Sequence, residues 1–207
     1  GHTPAWAFVA DANQAVAAAR LGATVTMIGQ VGDDSHGKSL LENLAVEGVI
    51  TNLIKVDNDN ATGVAMISVD AQGQNSIAVA SGANFSLTKG QVENAWGDIG
   101  DIDVLVMPLE TPPETILTAA TLAKKQSATV VLNPAPARPL KPALLELVDV
   151  LVPNQHELEM LSNTEITPNV DFGKAADNLF SLGVRNIVTT LGGDGVAIFD
   201  STRESIL

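Results

Sequence analysis

Cysteine is absent from the 207 residues, and so is tyrosine. Without cysteine there is no disulfide and no thiolate metal site, and a reducing compartment is expected. Aromatic residues make up only 3% of the chain, too few for the stacking platforms that hold single-stranded nucleic acid. Basic residues are scarce: 11 Lys and Arg against 24 Asp and Glu leave a net charge of −13. That balance argues against nucleic acid and anionic membrane as partners, because both reward clustered cations. Nucleotides stay open, since backbone N–H groups and metal commonly hold their phosphates. His2, His36 and His156 are too scattered for a zinc cluster. No apolar run approaches the roughly 20 residues that span a bilayer. The start, Gly1-His2-Thr3-Pro4, has neither the basic nor the apolar part of a signal peptide. The expected setting is the cytoplasm.

Hydrophobic residues, at 45%, suffice to bury one substantial core. Residues 13–21 are alanine-rich and stop at Gly22, a helix with a glycine end. Residues 23–28 then form a β-branched strand that Gly29 closes. A helix over 37–44 follows. Residues 62–69 and 76–80 flank a polar turn at 70–75, which predicts a β-hairpin. After a helix over 87–96 the rhythm becomes regular. Strands are expected at 104–107, 128–132, 148–152, 186–190 and 196–199, with helices at 114–124, 141–147, 157–161 and 172–182. Such alternation gives a doubly wound, mostly parallel α/β sheet flanked by helices, read as one domain over 1–207. The hairpin at 62–80 breaks the rhythm and reads as a small β lid outside the main sheet.

Four segments carry candidate chemistry, and each has a purely structural alternative. Asn154 and Glu157 at the start of a predicted helix form a capping box; a carboxylate there can also hold a hydrated Mg²⁺ through water. Glu110 follows the apolar strand at 104–107 and would face a crevice, or else favour the next helix dipole. Asn133 opens the run Asn133-Pro134-Ala135-Pro136-Ala137-Arg138, a loop of restricted backbone. Thr190-Leu191-Gly192-Gly193-Asp194-Gly195 lies between two strands, where glycines allow close approach of backbone N–H groups to an anion, or make a tight turn. Neither the Gly-x-Gly-x-x-Gly fingerprint nor a Walker A loop is present, which disfavours an NAD-dependent Rossmann enzyme.

The order of these pieces resembles the ribokinase/phosphofructokinase-B family of sugar kinases from about 12 to 199. Asn13-Gln14-Ala15 through Gly22, with Gly32-Asp33-Asp34 and Gly37, is similar to its amino-terminal signature. Thr62-Gly63-Val64 and Ser81-Gly82-Ala83-Asn84 resemble its lid strands and the segment after them. Met107-Pro108-Leu109-Glu110, the Asn-Pro-Ala-Pro-Ala-Arg run, Pro153-Asn154-Gln155-His156-Glu157 and the 190–195 segment then follow in family order, and the Asn133 run favours the ribokinase branch. The resemblance implies transfer of the ATP γ-phosphoryl group to the primary hydroxyl of ribose. It assigns Asn13 and Glu110 to the pentose. It assigns Asn154, Thr190, Gly192 and Gly193 to the nucleotide, and Glu157 to Mg²⁺ through water. A homodimer through the lid sheet is also implied.

Three departures accompany it. Phe8-Val9-Ala10-Asp11 stands where the family has a glycine-rich stretch with a lysine. The family's opening strand has no counterpart before Gly1, so an exposed sheet edge is expected. The Gly-Ala-Gly-Asp motif with the catalytic aspartate, and the K⁺ site, would lie beyond Leu207, so no catalytic residue is assigned here. A truncated product without turnover of its own is the resulting expectation. The alternative is a non-catalytic sugar- or nucleotide-binding protein of the same fold.

Overall fold

Asp11 begins the first helix by capping it: its Oδ1 accepts from the Gln14 amide at 3.0 Å. The structure, a computed structural model, describes residues 3–69, 75–167, 172–200 and 205–206. Strand β1 (Ala5–Val9) leads into helix α1 (Ala12–Arg20), which stops where Gly22 takes a φ of +96° that suits glycine. Strand β2 (Thr24–Gly32) and helix α2 (Ser35–Val46), capped by Asp34, bring the chain to β3 (Ile54–Asp57). Strands β4 (Val64–Val69) and β5 (Asn75–Ala80) pair antiparallel as a separate two-stranded sheet. The expected hairpin is therefore present as a sheet of its own, while residues 70–74 of its turn lie outside the described residues.

A 3-10 turn (Gly82–Ser86) and helix α3 (Lys89–Ile99), opened by a Thr88–Gln91 capping box, follow. Strand β6 (Val104–Met107) precedes helix α4 (Pro113–Lys125), which has proline at its first position, Glu114 in its first turn and Lys124 and Lys125 in its last. That arrangement matches the helix dipole at both ends. The chain continues through β7 (Thr129–Leu132), the short α5 (Pro142–Leu145), β8 (Val150–Leu151), α6 (Gln155–Ser162), α7 (Phe172–Ser181), β9 (Asn186–Thr190), β10 (Val196–Asp200) and β11 (Ser205–Ile206).

Nine strands form the main sheet in the order β11-β10-β9-β8-β7-β6-β1-β2-β3. Its pairs are parallel except those of β10 with β9 and β11. Alternate residues of β1 enter two cores. Ala7 and Val9 join Leu105, Met107, Val130 and α4 on one face, while Phe8 joins Val25, Met27, Val106 and α1 on the other. From β1 the chain winds through β2 to β3 on one side, and from β6 through β7 to β9 on the other. The strand order thus reverses between β1 and β6, and such a switch point opens a crevice at the carboxyl ends of the strands.

Several expectations are corrected. Residues 5–9 form a central strand, paired in register with β2 (Phe8↔Met27) and β6 (Phe8↔Val106), so the expected exposed edge does not occur there. Gly29 does not close β2, because β3 supplies a ladder partner for it (Gly29↔Ile54) and carries pairing on to Gly32. The helix expected over 141–147 shortens to α5, since Leu147 and Val148 donate to carbonyls three residues back and tighten the turn. That same turn consumes the first residues of the strand expected at 148–152.

Candidate functional site

At the switch point lies a cavity of about 250 Å³. Ala10 turns the chain out of β1 in a left-handed conformation (φ +58°), its amide donating to the Ile28 carbonyl at 3.1 Å. The turn sets Asp11 and Asn13 on the cavity wall. Glu110 arrives from the neighbouring strand. Asn133 donates its amide to the Met107 carbonyl at 2.9 Å and Leu109 donates to Ala135 at 2.8 Å, extending the β6–β7 pairing past the strand ends. The proline-rich run at 133–138 is therefore a brace for the segment that carries Glu110. Gln30 and Asn84 add amides to the wall, and residues of β4 and β5 roof it.

The cavity is anionic. Of its lining residues only Asp11 and Glu110 are ionisable, and both are carboxylates. Burial pushes the Glu110 carboxyl above its ordinary range, and the charge on Asp11 raises it further. Burial also pushes Asp11 up, against the backbone N–H groups of Gln14 and Asn13 that favour its charged form.

The roof is anchored at its base. Asp34 accepts from the Thr62 amide at 2.7 Å and from its hydroxyl at 2.8 Å, besides capping α2 through the Gly37 amide at 2.8 Å. Asp57 accepts from Gln30 Nε2 and Asn60 Nδ2, both at 2.9 Å, and from the Ser86 hydroxyl. Donation from the Gly37 amide and from Thr62 holds the Asp34 carboxyl at about 2, and donation from Ser86, Asn60 and the Asp59 amide holds that of Asp57 at about 2, both well below the usual value. Gln30 in turn accepts from Gln91 Nε2 at 3.2 Å, which ties the cavity wall to α3.

A second group of predicted residues gathers farther along the same carboxyl edge. Asn154 and Glu157 form the expected capping box: Asn154 Oδ1 accepts from the Glu157 amide and Glu157 Oε2 from the Asn154 amide, each at 2.8 Å. Glu157 is buried although Asn154 is exposed. Thr190 makes a parallel bridge with Asn154, its amide donating to the Pro153 carbonyl at 3.0 Å. Gly192 (φ +60°) and Gly193 follow in the tight turn between β9 and β10, and a Cβ on either would meet nothing within 4 Å. Open space above two such glycines leaves room for a ligand to approach backbone.

The predicted residues thus fall into two sets. Asn13 and Glu110 sit at the ends of β1 and β6; Asn154, Glu157, Thr190, Gly192 and Gly193 sit at the ends of β8 and β9, with β7 between. Among the described residues no cluster of three or more His, Cys, Asp or Glu could enclose a metal. Glu157, buried and with one oxygen engaged by a backbone amide, suits a hydrated Mg²⁺ held through water better than direct coordination. Asp11 is a wall residue that the motif order did not point to. The signal for it is the apolar run at 5–9 with an acid at its carboxyl end.

The chain is similar to proteins of known activity. Over 196 residues the chain is 41% identical to the ribokinase of Haemophilus influenzae, covering 95% of this chain and 64% of that protein. Over 185 residues it is 37% identical to the deoxyribokinase of Salmonella typhi, covering 89% of this chain and 60% of that protein. The chain therefore spans somewhat under two thirds of the length of these relatives. The solved structure of Arabidopsis thaliana ribokinase, complexed with ribose and ATP, superposes with a TM-score of 0.85 at 24% identity, covering 99% of this chain and 77% of that one. This last likeness concerns the fold. With residues 10–207 matching the description "pfkB family carbohydrate kinase", and with the site on the carboxyl edge of a doubly wound sheet, the chain belongs to the pfkB family of carbohydrate kinases.

Proposed function

We propose that this chain carries the sugar-binding part and much of the nucleotide-binding part of an ATP-dependent kinase for ribose. The observation that carries the reading is the juxtaposition of Asn13 and Glu110, from opposite windings of the sheet, on one cavity at the switch point. Asn13 offers an amide and Glu110 an acceptor to the hydroxyls of a pentose. Asn154, Thr190, Gly192 and Gly193 border the phosphates of ATP, and the free oxygen of Glu157 orders the water shell of Mg²⁺. Bound there, Mg²⁺ would neutralise phosphate charge during phosphoryl transfer. The chain's own part is to bind, orient and hold the two substrates along one edge.

Isothermal titration with ribose and with 2-deoxyribose, each with and without MgATP, tests the reading. Ribose is expected to bind, and binding to fall at least about tenfold in Glu110→Ala, as loss of a charged hydrogen-bond acceptor implies. Equal affinity of the wild-type chain and Glu110→Ala for ribose would sink it. Tighter binding of 2-deoxyribose would move the substrate to the deoxy sugar.

The assembly belongs to the same proposal. On the lid hairpin Val64, Met66, Ile67, Val69 and Val79 are exposed, apolar on both faces of a two-stranded sheet. Such a sheet gains by covering one face with a second copy. Sedimentation velocity is expected to show a dimer that Met66→Lys dissociates; a clean monomer at high concentration refutes it. A cytoplasmic setting fits both substrates.

A further inference from the structure

Asp11 is the cavity carboxylate to which the sugar-kinase reading gives no role. Its strand and that of Glu110 are direct neighbours (Phe8↔Val106), so both acids leave the sheet at one edge and enter one cavity. Among the described residues no Lys or Arg lines this cavity, and those of the flanking helices and loops have partners of their own. Arg20 pairs with Glu47, Lys38 lies beside Asp33, and Arg138 donates to the Thr111 carbonyl and lines a different groove. The rest of the cavity's polar lining is neutral, including the amides of Asn13, Gln30 and Asn84 and the hydroxyl of Ser81. Two partly desolvated carboxylates with no cationic side chain among the described lining residues are a standing electrostatic demand, and a ligand can meet it. The upward push of both carboxyls by burial has the same origin.

We propose that the Asp11–Glu110 pair makes this cavity selective by charge, so that a cationic, amine-bearing furanose binds more tightly than its neutral isostere and a sugar phosphate binds worst. The inference rests on the sugar-site reading of the same cavity and adds the class of sugar it favours. The amine-bearing ring and its neutral isostere carry the same hydroxyls, so the difference between those two reports the charge that faces the two acids. Asp11 acts as a specificity residue that lines the cavity, with Glu110 as its partner.

Isothermal titration of the whole chain near neutral pH compares three probes. These are iminoribitol (protonated ring nitrogen), anhydroribitol (ring oxygen, same hydroxyls) and ribose 5-phosphate. Iminoribitol is expected to bind about tenfold or more tightly than anhydroribitol, the order set by one charge facing two partly screened carboxylates. In Asp11→Asn that ratio is expected to fall to within about threefold, while ribose 5-phosphate gains affinity relative to anhydroribitol. Asparagine caps a helix as well as aspartate does, so the melting temperature serves as a control that α1 is intact. Glu110→Gln should compress the ratio in the same way. Equal affinity of the two isosteres, or a ratio that Asp11→Asn leaves unchanged, overturns the charge selectivity while ribose binding upholds the sugar site. If neither ribose nor either isostere binds, the sugar site fails and the selectivity fails with it.

Discussion

Asp34 grips Thr62 with both carboxylate oxygens, one on the amide and one on the hydroxyl, across 28 residues of chain. The grip joins the start of α2 to the segment that enters the lid hairpin, so the roof of the cavity hangs from a helix cap. The Thr62 hydroxyl also accepts from the Gly32 amide at 2.9 Å. Thr62→Val keeps the shape and strips both bonds from a buried position, which is expected to cost about 1–3 kcal/mol by denaturant melting. An unchanged midpoint would show that the hydroxyl contributes nothing.

Acid should loosen the same region. The Asp34 and Asp57 carboxyls titrate at about 2 in the folded chain, below their ordinary 3.8. A depressed carboxyl stabilises the fold above its unfolded value and loses that contribution as pH falls through the folded one. Stability should therefore drop between about pH 4 and pH 2, and Asp34→Asn should flatten the drop. A midpoint that falls equally in wild type and variant over this window rules out the contribution of Asp34.

Glu110 has the opposite sign. Its carboxyl is raised by burial and by Asp11, so the charged form costs stability once pH rises past its ordinary value. Glu110→Gln is expected to melt higher than wild type at neutral pH, by about 2–4 °C for each kcal/mol recovered, and no higher near pH 4. The same substitution should weaken ribose binding. A gain in stability with a loss of binding marks a group kept for its ligand; a melting temperature lower than wild type at neutral pH would contradict it.

Glu157 permits a separation of cap from metal. Glutamine serves a capping box at this position, so Glu157→Gln should leave the melting temperature nearly unchanged. Loss of the charge should weaken MgATP at least about tenfold while ATP in the absence of Mg²⁺ is little affected. Parallel losses with and without Mg²⁺ would assign Glu157 to the helix alone.

How much of this was legible in the chain depends on whether the cause is local. Strands β6 and β9 appear with the bounds expected, because apolar runs there end at turn-forming residues. The capping box at Asn154 and the hairpin at 62–80 are likewise short-range signals. Strand β3 was not legible: Ile54-Lys55-Val56-Asp57 has only two apolar residues, and its pairing with β2 comes from distant chain. Strand β1 presents five apolar residues, a strand signal in itself, yet the family resemblance points to a glycine-rich loop at that place. Asp11 therefore stands out in the sequence only as a departure from that loop, and its place on the cavity wall comes from the strand that the departure forms. The roles of Asp34 and Asp57 are set by partners 28 and 29 residues away, which no local pattern reveals.

The glycines provide a contrast that separates packing from propensity. At the hairpin base a Cβ on Gly63 would stand 2.7 Å from the Ser81 carbonyl oxygen, and one on Gly32 would stand 2.6 Å from that of Asn60. Both obstacles are backbone, so the strands entering and leaving the lid must part to admit a methyl group. Gly63→Ala is expected to destabilise by about 1–3 kcal/mol and to reduce ribose binding, because the roof shifts with its base. Gly97 is the counter-case: it lies exposed in α3, without a positive φ, and a Cβ there would meet nothing within 4 Å. Gly97→Ala should stabilise by about 0.5–1 kcal/mol through helix propensity alone and leave ribose binding untouched. Measuring both variants by urea melting and by ribose titration puts the two causes on one scale. If Gly63→Ala melts like wild type, the close packing of the lid base is not what fixes the hairpin over the cavity.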